Sequence, residues 1–199
     1  MKNSIPFLMN LLILTSLYSQ DLSFRLYSGY SIPISDIYNM KYNHGGMVLG
    51  GNIDIIFIKN IGLSLSINYS KWENQYGDQY SGFNSDYYKQ TLKWLPITAS
   101  FIYKTDNILR KTNIYILIGI GNYKTTINNL FYHNNTEYLD TTVENNLGLE
   151  FGFRFEVLIY NRFGIFIEPK YNMIFNNDHM FVNLLGGFVI SDIFNNHDK

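Results

Sequence analysis

The sequence contains no cysteine. That absence excludes a disulfide scaffold, a thiolate zinc site, a thiol nucleophile and a lipidated N-terminal cysteine. Charge is scarce. Lys and Arg number 15 and Asp and Glu 16, together 16% of 199 residues, where a soluble domain carries about 25%. A formal net charge of −1, with no basic stripe, leaves no electrostatic footprint for nucleic acid. Long apolar runs are missing as well. Nothing approaches the roughly 20 residues of a membrane-spanning helix. Helical periodicity is also absent. What is abundant is aromatic: 17 Tyr and 15 Phe bring the aromatic share to 17%. The mean hydropathy is nevertheless −0.09, which excludes a helical membrane bundle. The polarity therefore comes from Asn, Ser, Thr and Tyr rather than from charge.

The first twenty residues have the layout of a secretory signal. Lys2 precedes an apolar run from Ile5 to Leu14, and Thr15, Ser16, Ser19 and Gln20 follow. Cleavage is expected after Ser19 or Gln20. Removing 1–20, which holds one base and no acid, leaves a mature net charge of −2. The expected organisation is a signal at 1–20, a single domain at 21–194 and a short polar tail at 195–199.

Through the domain, apolar residues recur at every second position, the period of a strand. Eight such segments occur. In the first, Phe24, Leu26, Tyr30 and Ile32 alternate with Ser23, Arg25, Tyr27 and Ser31. In the second, Met47, Leu49, Ile53, Ile55 and Phe57 oppose Val48, Asn52 and Asp54. The third sets Leu63, Leu65, Ile67 and Tyr69 against Ser64, Ser66, Asn68 and Ser70. The fourth sets Leu95, Ile97, Ala99, Phe101 and Tyr103 against Pro96, Thr98, Ser100 and Ile102. The fifth runs Ile114, Ile116, Ile118, Ile120 against Tyr115, Leu117, Gly119 and Gly121. The sixth sets Leu147 to Val157 against Gly148, Glu150, Gly152, Arg154 and Glu156. The seventh opposes Ile165, Ile167, Pro169, Tyr171 and Met173 to Phe166, Glu168, Lys170 and Asn172. The eighth opposes Leu184, Gly186, Phe188 and Ile190 to Asn183, Leu185, Gly187 and Val189. Segments of about ten to twelve residues are long for a soluble sandwich and match a tilted membrane strand.

The connections alternate too. Pro33–Gly45, Glu73–Lys89 and Lys124–Thr142 are long and polar, and Asn176–Met180 is modest. Lys59–Asn60 and Tyr160–Arg162 are short, and Thr105–Thr112 is a moderate turn. Short periplasmic turns and longer external loops are the pattern of an eight-stranded antiparallel up-and-down transmembrane β-barrel. In such a barrel the apolar face meets lipid and the polar face fills the interior. That interior would hold a charge network of Arg25, Asp54, Glu150, Arg154, Glu156, Glu168 and Lys170, interleaved with Gly and Ser. Its expected role is structural: paired charges fix register, since an unpaired buried charge is costly. Aromatic girdles are expected at Tyr30, Tyr69, Trp72, Trp94, Tyr123 and Phe175 on the loop side. On the turn side they are expected at Phe24, Phe57, Phe101, Tyr103, Phe163 and Phe194. Pro96 and Pro169 remove ladder donors, so bulges or breaks are expected there.

These features resemble the small outer-membrane protein β-barrel domain family of Gram-negative bacteria, which includes opacity-type adhesins. The resemblance rests on the signal, on Leu95-Pro96-Ile97, on Ile118-Gly119-Ile120-Gly121, on Glu168-Pro169-Lys170-Tyr171, and on Gly186 to Ile190 with Phe194. It implies a cell outer membrane location and an assembly route through the barrel-insertion machinery. It also implies adhesion or another surface-binding or envelope-structural role through external loops, with lipid as the constant partner. Catalytic groups do not converge. His44, His133, His179 and His197 fall in expected loops or the tail, with no H-E-x-x-H, G-x-S-x-G or P-loop. A His179, Asp178 and Ser81 or Ser85 triad is the one imaginable arrangement. No enzyme activity, cofactor or metal is expected. The alternatives are a secreted lipocalin-like barrel for a small apolar ligand, or an outer-membrane lipid-modifying enzyme.

Overall fold

The computed structural model describes residues 21–34, 45–58, 60–76, 87–105, 112–133, 136–160, 162–175 and 179–191. The signal, the tail with Phe194, and the central parts of the connections lie outside these residues.

Eight strands follow one another: β1 (Asp21–Pro33), β2 (Gly46–Ile58), β3 (Ile61–Tyr76), β4 (Tyr87–Lys104), β5 (Thr112–His133), β6 (Thr136–Tyr160), β7 (Phe163–Ile174) and β8 (His179–Ile190). Each pairs antiparallel with its neighbours in sequence, and β1 pairs with β8, so the sheet closes. Tracing pairs from Arg25 through Asn52, Ser66, Thr98, Gly121, Gly148 and Ile174 reaches His179 on β8. Arg25 itself pairs with Val189, ten residues further on. A shear of ten over eight strands, at standard rise and spacing, tilts the strands by about 40°. Ten residues at that tilt cover about 25 Å of membrane.

The two prolines break the ladder without shifting it. Pairing of β3 with β4 stops at Ile67 and Ile97 and resumes in the same register at Ser70 and Trp94. Pairing of β6 with β7 has the corresponding gap beside Pro169, between Gly152–Lys170 and Phe155–Ile167. Each ring nitrogen lacks the proton that its neighbour would accept. True irregularities fall instead beside the short turns, at Ile56/Ile58 and Leu158/Tyr160. Ile55 and Ile56 are both buried there, so the strict alternation that puts Ile55 outward ends at that point.

The strands also run further than the apolar alternation indicates. The expected Glu73–Lys89 loop begins and ends in strand, since β3 continues to Tyr76 and β4 begins at Tyr87, and 77–86 between them lie outside the described residues. The expected Lys124–Thr142 loop is a hairpin whose arms pair from Lys124–Asn145 up to His133–Thr136. β8 begins at His179, inside the connection expected at Asn176–Met180. Four adjacent strands, β3 to β6, therefore rise above the other four as a wall on one side of the rim.

Candidate functional site: a charged lumen beneath a raised external wall

The exterior is the first element of the site. Leu26 is 73% exposed and Phe188 72%, and Leu63, Leu65, Ile67, Ile97, Ile118, Phe151, Ile165 and Leu184 stand out beside them. Among the described residues, no charged side chain interrupts this belt. Charges border it below at Asp21 and Lys104, which pair at 3.4 Å. Above, Lys71 and Lys124 mark its limit. A continuous apolar surface of this extent costs a soluble protein far more than scattered exposed residues do. The interior is the reverse: Arg154, Glu156 and Glu168 are each 0% exposed. Apolar residues outside and charges inside define a membrane barrel and oppose the secreted lipocalin-like alternative.

All seven charges, Arg25, Asp54, Glu150, Arg154, Glu156, Glu168 and Lys170, lie buried in the lumen. They form one chain of alternating sign. Glu156 accepts from Arg25 at 2.6 Å, and Arg25 also reaches Asp54. Asp54 accepts in turn from Arg154, which donates to Glu168 as well. Glu168 pairs with Lys170 at 3.0 Å, and Lys170 with Glu150 at 3.3 Å. Four acids and three bases leave one excess negative charge. Because the chain begins and ends on an acid, that excess falls at its termini, where neutral donors meet it. Asn113 and Tyr115 donate to Glu156 at 3.1 and 3.3 Å. Ser100 and Thr98 donate to Glu150, the latter at 3.0 Å.

The chain crosses the lumen as well as following the wall. Arg154 and Glu168 face each other on adjacent β6 and β7, but Asp54 on β2 meets Arg154 from the far side. Both guanidinium groups lie against Tyr115 and Phe166, 5.4 to 6.0 Å from the ring centroids. A planar, weakly hydrated guanidinium suits such a position between two carboxylates and two rings. Around this layer pack Tyr27, Val48, Phe166, Leu185 and Val189, with Ile56, Ile102, Tyr115 and Leu117 toward the periplasmic end.

The external mouth is filled by aromatic side chains. Trp72, Trp94 and Tyr123, expected in the outer girdle, point inward and are at most 1% exposed. They pack with Leu92, Ile127, Ile174 and Phe181. Trp72 and Trp94 lie 5.8 Å apart, and Trp94 meets the His179 ring edge-on at 6.0 Å. Their parity accounts for this: Trp72 continues the inward series Ser66, Asn68, Ser70, and Trp94 the series Thr98, Pro96. Two glycines make the room. A Cβ at Gly46 would strike the Trp72 ring, and one at Gly148 would come within 2.6 Å of Tyr123. The girdle holds at Tyr30, Tyr69 and Phe175 above, and at Phe24, Phe101, Tyr103 and Phe163 below, all exposed.

His179, expected in a loop, is buried on β8 at this mouth. That position is enclosed rather than open to the external rim, where a lipid-modifying triad would work. Asp178, Ser81, Ser85, His44 and His197 lie outside the described residues.

Above the mouth stands the wall of β3 to β6. At its β3 side Glu73 pairs with Lys71, and with Lys89 at 3.3 Å. The hydrogen bond from Lys71 holds the Glu73 carboxyl below the usual carboxylate range. At its β6 side, residues from Thr136 to Val143 are exposed on both faces.

No protein-family model matches the chain, and no characterised protein matches it in sequence. Solved structures do match in fold. A major outer membrane protein from Thermus thermophilus is 11% identical with a TM-score of 0.62, covering 86% of this chain and 99% of that one. The outer membrane protein OprG from Pseudomonas aeruginosa is 12% identical with a TM-score of 0.55, covering 88% and 97%. At such identities the likeness extends to the fold alone. The chain is thus an eight-stranded transmembrane β-barrel with the fold of the small outer-membrane proteins of Gram-negative bacteria.

Proposed function

We propose that this protein is exported by its 1–20 segment, inserted into the outer membrane by the barrel-insertion machinery, and used there without catalysis as a surface-binding or adhesion platform. The observation that carries this reading is the one-sided wall. Four strands continue well past the lipid belt, on a closed and therefore rigid scaffold, and present polar and aromatic side chains to the exterior. Recognition is commonly carried by segments that a rigid scaffold holds in place. On this reading the seven lumenal charges serve structure. They fix register across the barrel and fill a lumen that eight strands leave only wide enough for side chains.

The test is removal of the hairpin tip, residues 126–143, with a short Asn-Gly turn in its place. Cells carrying the shortened barrel should lose attachment to host-cell or matrix-coated surfaces. Heat-modifiable migration should show that the barrel still assembles. Attachment equal to that of the full chain overturns the proposal.

A further inference from the structure

Within the wall, the two outer strands end differently. β3 passes beyond its last pair with β2, Met47–Lys71, by only five residues, and that edge carries the Lys71–Glu73–Lys89 ion pairs. Charged side chains of this kind guard a sheet edge. β6 is longer on its free side. Its topmost pair with β7 is Gly148–Ile174, and Phe175 N–H donates to the Leu147 carbonyl just above. From Thr136 to Asn146, β6 has a strand partner only on the β5 side among the described residues.

Backbone direction follows from that last bond. The Leu147 carbonyl points toward β7, and in an antiparallel strand every second residue turns its N–H and C=O the same way. Asn145, Val143, Thr141, Leu139 and Glu137 therefore direct a donor and an acceptor each to the free side. Eleven residues of strand make an edge about 35 Å long. The guards that would block a basic strand are absent: the stretch T-E-Y-L-D-T-T-V-E-N-N has no Lys, Arg or Pro, and its ladder with β5 runs without a bulge. Its charge is wholly acidic. Glu137 and Asp140 are exposed and form no ion pair among the described residues. Leu139 and Val143 add exposed aliphatic surface on the outward face.

We infer that the edge of β6 from Thr136 to Asn146 captures an extended, basic protein segment as an added strand. The inference rests on the surface-binding reading and gives it a partner class. Main-chain hydrogen bonds supply the attachment, as in other strand additions. Lys or Arg opposite Glu137 and Asp140, with β-branched residues beside Leu139 and Val143, supply selectivity. A second copy of this chain is the poorer guest, because edge-to-edge pairing of two β6 strands sets acid against acid.

The test uses the full chain in phosphatidylcholine nanodiscs and a synthetic twelve-residue peptide of Lys, Thr and Val, with Lys placed to meet Glu137 on one face and Asp140 on the other, and Thr or Val beside Leu139 and Val143. Three probes are compared: this peptide, the same peptide N-methylated at alternate residues, and a version with Glu for Lys. The parent peptide is expected to bind and to slow amide exchange at Leu139, Thr141 and Val143. The N-methylated form should bind at least tenfold more weakly, and the Glu form not measurably. Val143→Pro removes a free-side donor without touching the β5 ladder, and should weaken the parent peptide at least tenfold. Equal binding of the N-methylated peptide, with no protection at these amides, would show charge attraction alone and overturn the inference. So would attachment that is lost with the 126–143 deletion yet kept in Val143→Pro; that result leaves the surface-binding reading standing. Attachment that survives the deletion overturns the reading itself.

Discussion

Arg154 is the most informative residue to remove. It is fully buried, it joins Asp54 on β2 to Glu168 on β7, and it is the middle link of the alternating chain. In Arg154→Ala, Arg25 is the one cation left to Asp54, beside the Asn52 amide that donates to it at 3.2 Å, and Lys170 the one left to Glu168. Two carboxylates then face each other across the space the guanidinium filled, without the cation that joined them. Breaking a buried ion pair from one side costs about 3–5 kcal/mol. At about 1.4 kcal/mol per factor of ten, the folded-to-unfolded ratio falls by roughly a hundredfold to several thousandfold. Lys71→Ala breaks a solvent-exposed pair with Glu73 and serves as the control, costing about 0–1 kcal/mol. Arg154→Lys keeps the charge but loses the fork that spans two acids, and should fall between. Urea unfolding of the purified barrel in detergent micelles, followed by tryptophan fluorescence and heat-modifiable migration, measures all three. A midpoint for Arg154→Ala equal to that of Lys71→Ala would falsify the buried, coupled network and mean that water reaches these charges.

The lipid face and the mouth each carry a further prediction. Leu65→Arg puts a charge near the bilayer midplane and should cost about 2–4 kcal/mol, seen as poor assembly into vesicles. Single cysteines should take a lipid-phase label at position 65 and not at 64 or 66; the opposite pattern reverses the faces. Trp94→Ala empties the centre of the aromatic mouth and should destabilise by about 3–5 kcal/mol. The wild type should carry no measurable ion current in planar bilayers, because both the charge layer and the mouth are packed. Steady conductance would refute the filled lumen.

Much of this architecture is written in alternation. Leu147 to Val157 and Leu63 to Tyr69 show their two faces without ambiguity, and the charges on the opposite face show which side is lipid. Three things were hidden for physical reasons. The wall lacks an apolar face, so period two has nothing to mark. Asn128, Asn129, Thr141 and Thr142 read as loop, yet they extend a ladder that the strands below already hold in register. The Trp72 and Trp94 positions set side-chain preference against parity. Tryptophan favours the membrane interface, but a one-residue shift would turn every neighbour to the wrong face, so parity decides. The links from Arg25 to Glu156 and from Asp54 to Arg154 join strands that are not neighbours. They arise from curvature, which a linear pattern of residues does not encode.

The closing pair of strands has a consequence for how the protein is made. Every other strand contact joins neighbours along the chain and can form as a local hairpin, but the β1–β8 seam joins Phe24 to Ile190. Bringing two such distant segments together carries the largest loop-closure entropy in the molecule, and topologies dominated by distant contacts fold slowly. Until β8 arrives, both β1 and β7 are open edges, each a template for mispairing. Arg25 on β1 can find Glu156 only when the sheet has curled. The alternating charges therefore favour curling from within, and the final strand acts as a latch whose timing sets the rate of assembly.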